Sequence, residues 1–138
     1  MLLAFSNCTC QDEKSNTLIT KFIGDLGGDQ TSLDQVIIKY LAVEVRDGEA
    51  IDFVKIHLQF AREELKREAI AASELQILKY KDASEKYKNI SINDEQSNNT
   101  YLVFFRNQFL MPVLIRNGKI HSFATIDKGG KRFFLMYE

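Results

Sequence analysis

The sequence predicts an α+β domain: three N-terminal helices followed by a four- to five-stranded antiparallel meander packed on the long third helix. Three observations carry this. The hydrophobic period is 3.6 as far as Ser73 and changes to 2 beyond it, where β-branched and aromatic residues take over. Asn117-Gly118, flanked by apolar runs, is the dipeptide that a two-residue type I′ turn needs, because both central residues take positive φ. With 45% apolar residues, 27% charged residues and one proline, the 138-residue chain can bury about two thirds of its unfolded surface around a single core.

The first helix is predicted between Asn16 and Leu26. Leu18, Ile19, Phe22, Ile23 and Leu26 recur at helical spacing, Ser15, Asn16 or Thr17 can cap the start, and Gly27-Gly28 ends it. Ser32-Leu33-Asp34-Gln35 is a capping box, with each end residue placed to bond the other's amide. It opens a second helix to about Arg46, with Leu33, Val36, Ile37, Tyr40, Leu41 and Val45 inward, stopped by Asp47-Gly48. The third helix, Glu49 to Ser73, sets Ile51, Val54, Leu58, Ala61, Leu65, Ala69 and Ala72 on one stripe. Its charged run Arg62 to Glu68 reads as a solvated face with a Glu63–Arg67 pair.

Strands are predicted at ELQILKYK (74–81), TYLVFFRN, FLMPVLIR, KIHSFATI and RFFLMYE, with YKNISI (87–92) as a loop or edge piece. Turns fall at Asn107-Gln108, Asn117-Gly118 and Asp127-Lys128-Gly129-Gly130. The Asn117-Gly118 turn implies a register of Ile115 on Ile120, Leu114 on His121, Val113 on Ser122 and Met111 on Ala124. One sheet face then carries Met111, Val113, Ile115, Ile120, Ala124 and Ile126, toward the long helix. The other carries Leu110, Pro112, Leu114, His121, Phe123 and Thr125, too apolar for water, so another helix, a second copy or a ligand should cover it.

The order of elements resembles small cystatin-like and nuclear-transport-factor-like domains, in which a curved sheet wraps a helix around a cone-shaped cavity. The resemblance rests on element order and implies a fold rather than an activity.

Charge and cysteine usage narrow the partners. Net charge is −1 with Lys and Arg scattered, which excludes the basic footprint of a nucleic-acid binder. No run of 18 apolar residues occurs, so no segment is expected to span a bilayer. Both cysteines, Cys8 and Cys10, lie in the first ten residues, too close for a framework disulfide and without companions for zinc. Leu2-Leu3-Ala4-Phe5-Ser6-Asn7-Cys8 resembles the end of a bacterial lipoprotein signal peptide, and the polar residues after it resemble a tether. It lacks a basic start, and its apolar segment is short, as an internal Met1 would explain. The resemblance implies lipidation at Cys8, with Cys10 as the alternative acceptor, and a cell-envelope location with the membrane reached only through that anchor. Residues 1–14 are then signal remnant and tether, and 15–138 the domain. The other reading is a cytoplasmic protein with two thiols near its start.

Candidate chemistry is sparse. His57 and His121 are the only histidines, so general acid/base work falls to them, with Glu44, Asp47 or Asp52 as orienting partner. No serine sits in a nucleophile turn, the Asp25–Asp34 stretch fails calcium-loop spacing, and neither cofactor nor metal is implied. The expected function is therefore that of a non-enzymatic, lipid-anchored envelope domain binding a protein partner or a small apolar or peptide ligand, or pairing as a homodimer, through its sheet face or cavity. His121, Phe123, Leu114, Tyr101 and Phe105 are the expected ligand-binding residues, with Phe134 and Tyr137 also candidates for that face. A small cavity enzyme using His57 or His121 and a cytosolic accessory or immunity-type protein are the alternatives.

Overall fold

A computed structural model of the chain describes residues 2–43 and 48–136, with side chains from Gln11 onward. It is an α+β fold with helices α1 (Leu2–Gly27), α2 (Leu33–Tyr40) and α3 (Gly48–Arg67) ahead of the strands. Strands β1 (Leu75–Lys79), β2 (Thr100–Phe105), β3 (Gln108–Arg116) and β4 (Lys119–Ser122) form an antiparallel sheet in that order. Strands β5 (Thr125–Lys128) and β6 (Lys131–Phe134) form a separate hairpin, and a short α4 (Asp94–Asn98) precedes β2.

The helix expected to begin near Asn16 is helical from Leu2. No Gly or Pro interrupts residues 2–23, and the face that includes Asp12 and Ser15 already belongs to the packed body. Tyr101 donates its hydroxyl to Asp12 at 3.1 Å, Lys79 pairs with the same carboxylate at 3.2 Å, and Ser15 is 3% exposed. Ser15 therefore sits inside the helix instead of capping it. The helical layer is centred on α1 rather than α3: Ile19, Phe22, Ile23 and Leu26 are all at most 2% exposed, against Val54, Leu58 and Leu65 on α3. Helix α3 also stops at Arg67, six residues before its predicted end at Ser73, where Ala69 turns to φ 51°.

The second helix starts on the predicted box, with Gln35 N–H donating to Ser32 Oγ at 3.2 Å and Ser32 N–H to Gln35 Oε1 at 3.4 Å. It ends at Tyr40, short of the expected Arg46, because Leu41 turns extended and bridges to Ile120, and Ala42 N–H donates to Ile120 O at 2.9 Å on the β4 edge of the sheet. Tyr40 donates its hydroxyl to Asp25, and burial together with that bond pushes the phenol up to about 12.

Asn117 (φ 52°) and Gly118 (φ 72°) make the predicted β3–β4 turn, and Arg116 and Ile115 pair with Lys119 and Ile120. The register then departs from expectation. Leu114 pairs with Ser122, so His121 is an extra residue in a β-bulge, and the sequence-derived pairings of Leu114, Val113 and Met111 do not form. A second bulge in β3 leaves Leu110 unmatched between Phe109 and Met111. The β2–β3 turn is formed by Arg106 and Asn107, both at positive φ, one residue earlier than predicted.

The bulges redistribute the faces. Met111, Val113, Ile115 and Ile120 meet the helices as expected, but Phe123 and Leu110 join them. The opposite face, carrying Leu102, Phe104 and Leu114, is closed by the chain's own Tyr80, Ala83, Ile90 and Phe134. Tyr87, Phe104 and Phe109 cluster there, with ring centroids 5.0–5.8 Å apart. Ser122 Oγ–H is shared between Leu135 O at 2.7 Å and Ala124 O at 3.1 Å, tying the β5–β6 hairpin to the end of β4. The face expected to be covered by another helix, a second copy or a ligand is thus a second core, because residues 80–93 run across it.

Candidate functional site

The expected ligand-binding residues do not converge. Tyr101 and Phe123 point into the helix-facing core at 4% exposure each, whereas Leu114 is fully buried on the opposite face. Phe105 is 5% exposed and stacked under the Arg106 guanidinium at 4.9 Å. Strand alternation had set Phe123 beside Leu114, and the bulge at His121 reversed it. Phe134 lies in the second core, and Tyr137, Glu44 and Asp47 lie outside the described residues. Cys8 and Cys10 fall in the backbone of α1, but their side chains lie outside the described residues.

The two histidines occupy different surroundings. His121 is half-buried on the bulge, within electrostatic range of Glu95. That carboxylate is gripped by Arg116 through Nε at 2.9 Å and Nη2 at 2.8 Å, which holds it below the usual carboxylate range. Asn93 and Gln96 position α4 through a second capping box, Gln96 N–H donating to Asn93 Oδ1 at 2.8 Å. The Asn93-Asp94-Glu95-Gln96 pattern that signals it was present in the sequence. His57 lies on α3, its Nδ1 2.9 Å from the Phe53 carbonyl one turn back and its ring 4.6 Å from the Phe53 ring.

His57 opens instead onto a cleft of about 300 Å³ between α3 and β3. Phe60, Ala61 and Leu65 form one wall, and Phe109, Leu110 and Met111 the other. Phe123 and Ala124 line it from the β4–β5 link, with His57, Glu64 and Gln108 as polar members. Both bulges help to shape this cleft. The one at Leu110 directs two successive side chains to the helix side, and the one at His121 brings Phe123 there. Phe60 is 67% exposed at the mouth, and Ile56 and Phe53 on the same helix are 54% and 45% exposed. Large apolar side chains exposed next to one another on one helix mark interaction surfaces more often than chance exposure does. Their spacing of i, i+3 and i+7 was legible in the sequence, but the stronger stripe of Val54, Leu58 and Leu65 masked it.

Other features read as structure. Asp34 pairs with Lys55 at 2.7 Å and Asp29 with Lys66, which accounts for the acidic stretch before α2. Arg67 pairs with Glu64 rather than Glu63, at 2.6 Å. A larger depression of about 680 Å³ beside α1 has mainly polar walls, among them Gln11, Lys14, Lys21, Asn99 and Asn117. Among the described residues no cluster of three metal-ligating side chains occurs, and no helix is long and apolar enough to cross a membrane. No family model matches the chain, and no curated protein or solved structure is significantly similar to it.

Proposed function

We propose that this chain is a non-enzymatic binding domain whose recognition site is the α3–β3 cleft together with the exposed Phe53, Ile56 and Phe60 stripe that leads into it. One observation carries the reading: the most exposed large apolar side chain among the described residues, Phe60, is also a wall of the cleft, so surface and cavity form one continuous site. A preformed apolar recess with few polar members at its rim suits capture of an apolar group better than proton transfer.

The test is titration with the neutral dye Nile red, followed by its emission and by backbone amide shifts. Saturable binding is expected, with shifts confined to residues 57–65, 108–111 and 123–124. Phe60→Ser, a change at an exposed position, is expected to weaken it about tenfold. Shifts centred elsewhere, or an unchanged affinity in Phe60→Ser, would remove the cleft from consideration.

The envelope location belongs to the same proposal. It is supported by the confinement of both cysteines to the N-terminal ten residues and by the resemblance of the preceding residues to a lipoprotein signal. Because Asp12 is already docked on the sheet, only Thr9, Cys10 and Gln11 separate Cys8 from the folded body. An anchor there would hold the domain close to the bilayer. Intact-mass measurement on protein from its native membrane fraction should show acyl chains on Cys8, and an unmodified N-terminus would return the chain to a cytoplasmic reading.

A further inference from the structure

The outer face of α3 has an acidic rim. Glu49, Asp52, Glu63 and Glu64 are all exposed along the stripe of Phe53, Ile56 and Phe60. The lysines of this helix are engaged by carboxylates outside it, Lys55 by Asp34 and Lys66 by Asp29. Arg67 lies toward the stripe as well, and Glu64 and Glu68 hold it at 2.6 Å and 4.0 Å.

We propose that this face docks a basic amphipathic helix of a partner protein. The helix lays its apolar side along Phe53, Ile56 and Phe60, seats one large apolar side chain in the cleft, and sets its Lys and Arg residues against Glu49, Asp52 and Glu63. The proposal rests on the cleft being a binding site and gives that site its occupant. Three features commit to it. The exposed apolar side chains repeat at i, i+3 and i+7, which is how one helix reads another. The cleft, at about 300 Å³, is at the small end of pockets for free ligands and is sized for one anchoring side chain. Beside the Arg67–Glu64 pair, the exposed Glu49, Asp52 and Glu63 leave the rim with an excess of negative charge, which favours an oppositely charged partner through encounter and register.

The same rim argues against a second copy of this chain. An antiparallel copy that places Phe53 on Phe60 and Ile56 on His57 also places Glu49 on Glu64. A parallel copy puts each carboxylate against its own counterpart. Either arrangement brings like charges together at the edge of an apolar contact, which is destabilising.

The experiment compares two fluorescein-labelled helical peptides of identical apolar pattern, LKKLLKLLKKLLKL and LEELLELLEELLEL, by fluorescence polarisation on the full chain. The lysine peptide is expected to bind saturably at one to one and at least about tenfold more tightly than the glutamate peptide. Phe60→Ser is expected to weaken it about 30-fold, as loss of a central aromatic anchor does. The double variant Asp52→Lys/Glu63→Lys, at two exposed positions outside the cleft lining, should weaken it about tenfold with Nile red binding unchanged, and raising salt from about 50 to 500 mM should weaken wild type more than that variant. Equal affinity for the two peptides, or indifference to both variants, overturns the proposal. So does a sedimentation-equilibrium dimer that Phe60→Ser dissociates, since that would assign the face to self-association. If Nile red still occupies the cleft while the lysine peptide does not bind, the basic helix is wrong and the binding site stands. If neither binds, both fall.

Discussion

Phe22→Ala is expected to lower the unfolding free energy by about 4 kcal/mol, the cost typical of truncating a fully buried phenylalanine. Phe22, on α1, has no exposed surface and lies between α2 and the end of β4. Its ring packs edge-on against Tyr40 of α2, with centroids 5.8 Å apart, and at 5.7 Å against Phe123 beyond β4. Neither neighbour can move in to fill the space left behind. Tyr40 is tethered through its hydroxyl to Asp25, and Phe123 is set by the bulge at His121 and by Ser122, whose hydroxyl bonds to the Ala124 and Leu135 carbonyls. A cavity that cannot collapse adds to the lost transfer energy, which places this site toward the upper part of the range. For a chain of this length the change corresponds to a melting temperature lower by about 10–15 °C. Urea unfolding of the two proteins measures it. A loss below about 1 kcal/mol would mean that Phe22 is not the junction between α1, α2 and the sheet. Phe60→Ser, at a position 67% exposed, is the control and should change stability by no more than about 0.5 kcal/mol.

The contrast between Phe22 and Phe123 shows which parts of this fold the sequence disclosed. Phe22 belongs to a helical repeat with Ile19, Ile23 and Leu26, and periodicity alone places it inside. Phe123 follows a strand in which period 2 puts it beside His121's alternate neighbours, on the side of Leu114. One extra residue reverses every side chain after it, and nothing in KIHSFATI marks the insertion. The Asn117-Gly118 turn was legible because its φ values demand those residue types, and the register was correct for the two pairs nearest to it. The candidate site was hidden for the same reason. Its walls depend on two bulges and on residues 80–93 covering the opposite face, so that the helix side of β3 became the one with an open recess. The exposed stripe on α3 could have been found by asking which apolar residues of that helix lie off its main stripe. Arg62 was the other residue missed: its charged neighbours suggested a solvated face, whereas its side chain turns inward.

Arg62→Ala is expected to cost about 3 kcal/mol, well beyond what surface arginines contribute. Helix α1 ends at Gly27, and the last carbonyls of a helix lack an amide partner within it. Arg62 reaches across from α3 and donates Nε–H to Leu26 O at 2.6 Å and Nη2–H to Thr31 O at 2.6 Å, with a longer contact to Asp25 O at 3.5 Å. One planar group thus joins the end of α1 to the connection that leads into the α2 capping box. The positive charge also meets the negative end of the α1 dipole, which adds to the hydrogen bonds. Alanine would strand these carbonyls in a partly buried corner. Lysine should recover less than half of the loss, because a single ammonium cannot hold two oxygens in the directions the guanidinium fork does. Methionine keeps the apolar stem and separates packing from bonding. Arg67→Ala is the comparison on the same helix: its ion pairs with Glu64 and Glu68 are exposed, and its removal should cost no more than about 0.5 kcal/mol. Hydrogen exchange should locate the damage, with amides of residues 28–36 losing protection in Arg62→Ala before those of the sheet. Equal melting of the Arg62 and Arg67 variants would show that the α1 terminus is satisfied without this residue, and that the α1–α3 contact is held by Leu26 and Leu65 packing alone.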